Sequence, residues 1–330
     1  MGAWMSGLSE SAFIADLGPR ERSAWRFLAT LLVGLVGGAL AALVVGVVMV
    51  FAAAFATGLF NADPTVVRHN INTLLDGQTS STGAILLMTV TAITNGTLAV
   101  AFVGFAALFA DRQAQSYVTV APQIRWSLLA WGLIASGLVL GPIVWLGQAF
   151  DPHAPPPPLF SLNHTLQGQI GYAVASIVLL VLAAAAEEVL FRGWLLRQSA
   201  AVTRNPFVLM AINGVLFSAV HGEFAPDAFL TRAVMGAGFV YMTLRTGGIE
   251  FSTGAHAANN IIIVLLLEPL SLKSAPSTGL SADALLQDAF LLLSYLALTE
   301  LTVRFRPLRR WTGVDQVPLP EATAAAAQFS

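Results

Sequence analysis

Apolar residues gather in long runs along this chain, separated by short polar stretches. Eight runs stand out, near residues 26–56, 83–110, 125–148, 167–190, 207–222, 227–245, 254–271 and 285–303. A helix needs about 20 apolar residues to cross the hydrocarbon core of a bilayer. The fifth and seventh runs are short or broken by polar residues and rate lower on hydropathy alone. The pattern predicts an all-α fold: a polytopic membrane helix bundle of about eight transmembrane helices. The first run is too long for a signal-peptide core and lacks a convincing cleavage site, so it reads as a retained helix. Its Gly34, Gly38, Ala42 and Gly46 recur every four residues. Such a stripe lets another helix approach closely, and it reads as packing inside the bundle.

Composition sharpens this picture. Only 10% of the 330 residues are charged and 56% are hydrophobic, whereas soluble domains carry about 25% charged residues. A net charge of −2 gives no reason to expect nucleic acid. The absence of cysteine excludes disulfides, thiolate metal sites and a cysteine nucleophile. Eight spans would place Arg20, Arg22, Arg26, Arg112, Arg125, Arg192, Arg197, Arg204, Arg245, Arg304, Arg306, Arg309 and Arg310 on one side. Arg68 and Lys273 would fall on the other. By the positive-inside rule both termini are then cytoplasmic. Arg232, just inside the sixth run, reads as snorkelling to the outer interface, with pairing to Glu223 or Asp227 as the alternative. The segment DPHAPPPPLF (151–160) reads as a stiff extended linker.

Against this apolar background the stretch AAAAEEVLFRGW (183–194) is anomalous. On a helix, Glu188 and Arg192 share a face four residues apart, with the acid N-terminal, the favourable order for an ion pair. Glu187 points roughly 100° away, among Ala183, Ala184, Leu190 and Phe191, where nothing is polar. A carboxylate inside a membrane is costly and usually faces a functional cavity, and one without a partner either has its pKa raised or finds a partner on another helix. Of the five histidines, His69, His153 and His164 fall in outer loops. The remaining two lie in FSAVH (217–221) and HAANN (256–260). Phe217 precedes His221 by one turn, and Asn260 follows His256 by one turn. The fourth and fifth runs form a hairpin turning near Arg204–Pro206, which sets Glu187 and His221 at similar depth. A water-filled pocket open to the cytoplasm would hold Glu187, His221, His256 and Asn260.

The three stretches EEVLFR, FSAVH and HAANN resemble, in order and spacing, the motifs Glu-Glu-x-x-x-Arg, Phe-x-x-x-His and His-x-x-x-Asn. These are the motifs of the CAAX protease and bacteriocin-processing family, also called Abi. The resemblance covers roughly 165–268. It implies an intramembrane endopeptidase in which Glu187 activates water, His221 and His256 position that water or a metal, and Asn260 stabilises the oxyanion. Glu188, Arg192 and Phe217 would support the geometry. Zinc held by Glu187, His221 and His256 and a mechanism with no required cofactor are both open at this point. The implied substrate is a membrane-associated or lipidated protein or peptide, reached from within the lipid bilayer, and the oligomeric state stays open.

The expected layout is a cytoplasmic segment at 1–25, a three-helix region at 26–165 and the motif core at 166–272. A last helix at 273–310 and a disordered cytoplasmic tail at 311–330 complete it. The alanine-rich, lysine-poor composition suits a bacterial inner membrane. No zinc motif of the His-Glu-x-x-His type, no serine elbow and no aspartate pair is present. A non-catalytic scaffold or self-immunity factor is the main alternative. A proton-coupled transporter is a further one, though no inverted repeat supports it.

Overall fold

All eight apolar runs fold as helices. A computed structural model describes residues 7–56, 63–65, 68, 80–270 and 279–317. Helix α1 spans Ala24–Ala56, α2 Ser81–Ala110, α3 Trp126–Phe150 and α4 Leu166–Val202. Helix α5 spans Pro206–Ala219, α6 Pro226–Thr246, α7 Glu250–Leu267 and α8 Ala282–Arg304. Six of them are long and apolar enough to cross a membrane. The other two are α5, with 14 residues, and α6, which carries Asp227, Arg232 and Arg245. Both complete the helical membrane bundle. His69, Lys273 and the chain from 318 onward lie outside the described residues.

Local chemistry sets the helix ends. The Ser80, Thr165 and Ser281 hydroxyls each accept a backbone N–H in the first turn of α2, α4 and α8. Asn205 does the same for α5, followed by Pro206 in the first helical position. Helix α6 stops at Gly247, whose φ of 72° is left-handed, a conformation that costs glycine little.

Glycines fix the closest crossings. A Cβ at Gly254 of α7 would lie 2.2 Å from the Leu129 carbonyl oxygen of α3, and one at Gly132 would lie 2.4 Å from that of Phe251. Gly214 of α5 meets the Ala233 carbonyl of α6 in the same way. The stripe on α1 packs inward as expected, with Gly34 against Phe102 and Gly38 against Leu98 of α2.

Five features depart from the leading expectation. Helix α4 runs on to Val202 and contains a π-helical stretch at Val189–Leu195. The segment before α1 is part of the core: Leu8, Phe13, Ile14 and Leu17 are buried against Leu196, Leu209, Val240 and Leu244. It is strapped down by Arg197, which donates to the Phe13 carbonyl at 2.6 Å and pairs with Asp16, and by Ser11, which donates to the Leu244 carbonyl. Structure also continues past 310, through a helix at Arg306–Thr312 to a buried Val314. The 151–160 linker ends in a short helix, Pro158–Ser161, with Pro158 buried. Arg232 takes its alternative reading and pairs with Glu223, whose carboxylate lies 2.5 Å from its guanidinium just before α6.

Replacing Gly254 by valine forces the α3–α7 crossing apart. Overpacking of this kind costs about 1–3 kcal/mol or more, so the melting temperature in detergent falls sharply. Gly96→Ala, where a Cβ meets nothing within 4 Å, leaves it unchanged. The strap is pH-sensitive. Burial alone would raise the Asp16 carboxyl, but Arg197 and Arg112 together hold it below its ordinary value of 3.8. A depressed carboxyl stabilises above that value and loses its contribution as pH falls through the folded-state value. Hydrogen exchange at residues 8–17 accelerates on acidification below about pH 4, and Asp16→Asn abolishes that dependence.

Candidate active site

The paired glutamates occupy the last turn of α4 before it widens into its π-helical stretch. Insertions of this type recur at functional sites because they re-aim side chains. The two carboxylates end in contrasting places. Glu188 is fully buried and Glu187 keeps 21% of its side chain exposed.

Glu188 is the hub. Its Oε1 accepts from Arg192 Nη1 at 2.9 Å and from His256 Nδ1 at 3.0 Å. A carboxylate oxygen only accepts, so His256 carries its proton on Nδ1 and turns Nε2 away. Arg192 is fully buried as well, and its Nη2 donates to the Gly236 carbonyl of α6 at 3.3 Å. Aromatic rings cover the guanidinium, with Phe217 at 4.3 Å and Phe239 at 4.9 Å from its carbon. Such contacts gain strength when desolvated.

Phe217 also organises both histidines. His221 meets its ring edge-on at 4.9 Å and His256 at 5.6 Å, while Phe239 stacks on His256 at 5.1 Å. The His221 Nδ1 lies 2.7 Å from the Phe217 carbonyl oxygen. That bond requires the proton on Nδ1 and leaves Nε2 as an acceptor in the neutral ring. His221 is within electrostatic range of Glu187 and His256.

Glu187 finds its partners on two other helices. Asn95 Nδ2 of α2 donates to its Oε1 at 3.2 Å. His256 Nε2 of α7 stands 3.7 Å from its Oε2, too far for a direct bond and close enough for a water to bridge. Asn260 lies one turn beyond His256 on α7, with its Oδ1 accepting from Asn259 at 3.4 Å.

The fold therefore gathers Glu187, Glu188, Arg192, Phe217, His221 and His256 into one cluster, with Asn260 on the adjoining turn. His153 and His164 are exposed and lie on the connection between α3 and α4 rather than on the helices that carry the cluster. Asn95 escaped the sequence reading. Its signal was there: it is the sole carboxamide in an α2 that contains no charged residue.

The donors do not suit a zinc ion as placed. Among the described residues, no group of three or more His, Asp or Glu side chains converges on one point. The trio Glu187, His221 and His256 is thus not a preformed metal site. A separate cavity of about 840 Å³ lies among the ends of α3, α6, α7 and α8, lined by Asp151, His153, Thr231, Asn259 and Asp288 among others. None of the clustered glutamates or histidines lines it.

Residues 169–262 match the family model described as type II CAAX prenyl endopeptidase, Rce1-like. This bears out the resemblance read from the three motifs. An uncharacterized protein of Bacillus subtilis (strain 168), YyaK, is 30% identical over 165 residues, which is 47% of this chain and 53% of YyaK. The chain thus spans about half the length of the curated relative it matches. No solved structure matches the chain. The apolar helices and the Rce1-like segment together mark an integral membrane protein with a CAAX protease-like core.

Because Arg192 and Glu188 are wholly buried, removing one partner leaves the other charge uncompensated. Arg192→Met is expected to cost about 3–5 kcal/mol and to lower the melting temperature by many degrees. Glu187→Gln, at a half-buried site, is expected to leave it nearly unchanged. Thermal unfolding in detergent checks both.

Proposed function

We propose that this protein is an intramembrane endopeptidase that hydrolyses a peptide bond of a lipid-modified or membrane-associated protein. The observation that supports it best is the asymmetry of the glutamates. Glu188 is locked by Arg192 and His256, while Glu187 presents an oxygen toward His256 Nε2 across a 3.7 Å gap.

In this reading a water sits beside the gap, within hydrogen-bond reach of both Glu187 Oε2 and His256 Nε2. Glu187 takes one of its protons as the oxygen attacks the scissile carbonyl carbon. The carbonyl oxygen becomes an oxyanion, and the Asn260 amide nitrogen donates to it, since a preorganised donor gains most where charge develops. Glu187 then returns the proton to the departing amine nitrogen as the C–N bond breaks. Neutral His221, with its acceptor nitrogen free of the Phe217 carbonyl, helps orient the water. We assign the arginine-rich end of the bundle to the cytoplasm and the membrane to a bacterial inner membrane. The lipid-facing helices would admit a membrane-anchored substrate sideways. We read the reaction as one that requires no metal.

The test compares new protein N-termini in membranes carrying the wild type and Glu187→Gln at matched expression. Termini present only with the wild type identify the substrates. With a purified substrate, Glu187→Gln lowers kcat by about 10²–10⁴-fold, the range of a general base. Asn260→Ala lowers it by about 10²–10³-fold, the range of an oxyanion donor. A chelator leaves the wild-type rate unchanged. Identical termini in both membranes would sink the reading and favour a scaffold role.

A further inference from the structure

Helix α2 lies wholly outside the segment 169–262 that matches the family model, yet it makes a polar contact with the cluster. Its polar side chains differ in where they bond. Thr89, Thr94 and Thr97 each donate back to the carbonyl four residues earlier, so their hydroxyls are satisfied within their own helix. Asn95 reaches across to α4 and donates to Glu187 Oε1 at 3.2 Å. Chemistry fixes the orientation of the amide, because its oxygen against a carboxylate would be repulsive and only its NH₂ can donate. An amide in mid-membrane is costly unless it is bonded, and this bond is its compensation.

We infer that Asn95 is a positioning residue for Glu187: it holds one carboxylate oxygen so that the other faces His256. The inference rests on the reading of Glu187 as the base. Without the Asn95 bond the side chain of Glu187 has no fixed rotation about its terminal C–C bond. Torsions of this type are broad, so the carboxylate plane is free to turn out of line with His256 and toward Arg192, whose charge it also feels. The neighbouring groups cannot substitute. The Glu188 carboxylate has no proton to donate, Arg192 spends Nη1 on Glu188 and Nη2 on the Gly236 carbonyl, and His221 is tied to the Phe217 carbonyl. Pre-set orientation of a reacting group contributes to the rate and not to ground-state affinity, so the loss falls on kcat.

The test uses the full chain in lipid nanodiscs, with Asn95→Leu, Asn95→Gln and, as a control on the same helix, Thr97→Val. Infrared difference spectra first assign the Glu187 carboxylate band as the one missing from Glu187→Gln. That band shifts in Asn95→Leu and stays in place in Thr97→Val. Against a cleavable substrate, Asn95→Leu lowers kcat about tenfold, which corresponds to about 1.4 kcal/mol, with KM within about twofold. Its melting temperature does not fall, since leucine suits the membrane at least as well as asparagine. Asn95→Gln, which keeps the donor, recovers part of the rate. An unshifted band overturns the inference. So does an unchanged kcat, or a kcat that falls only together with the melting temperature. If the wild type cleaves nothing, the hydrolase reading fails by itself, and the infrared measurement still decides whether Asn95 holds Glu187.

Discussion

The buried pair of Glu188 and Arg192 is the constraint around which the rest is arranged. Two opposite charges taken out of water are tolerable only when each also finds hydrogen bonds and polarisable neighbours. Here the search for those partners recruits other helices. The Gly236 carbonyl ties the arginine to α6, His256 ties the glutamate to α7, and Phe217 of α5 lies over the guanidinium. Four helices are thereby registered against one another by a single ion pair. Gly236 and Gly214 have no side chains at the α5–α6 contact, which lets these elements come close enough to complete the cage.

That cage divides labour between adjacent residues of identical chemistry. A helix advances 100° per residue, so neighbours on α4 face different surroundings. Glu188 turns to the protein interior and becomes architecture. Glu187 turns toward a partly open space bounded by α2 and α7 and keeps a free oxygen. One histidine serves both, with Nδ1 on the structural carboxylate and Nε2 toward the other. A carboxylate behind a histidine fixes its tautomer and ring plane, whichever reaction partner the front nitrogen meets.

What could be read from the chain alone follows the range of each interaction. The eight helices were legible because run length in an apolar sequence is a local property. Glu188 with Arg192 was legible because both sit on one helix. The meeting of Glu187 with Asn95 was not, since it depends on which helices become neighbours, and 92 residues separate the two. For Arg232 depth alone favoured snorkelling, and the alternative pair with Glu223, nine residues away, is the one that forms. The N-terminal strap was missed because Phe13 and Ile14 form too short an apolar cluster to show a period. The π-helical stretch left no mark in the sequence, as no propensity scale encodes it.

The unbroken length of α4 has a mechanical meaning. Thirty-seven residues at about 1.5 Å each make a rod of about 55 Å, nearly twice the hydrocarbon core of a bilayer. Its protruding end is gripped by the N-terminal strap through Arg197, ten residues from Glu187. The strap leads directly into α1, which leans on α2 and is otherwise open to lipid. The strap and the glutamate therefore share one helix, so a load on the Asp16–Arg197 contact is borne by the same rod that carries Glu187.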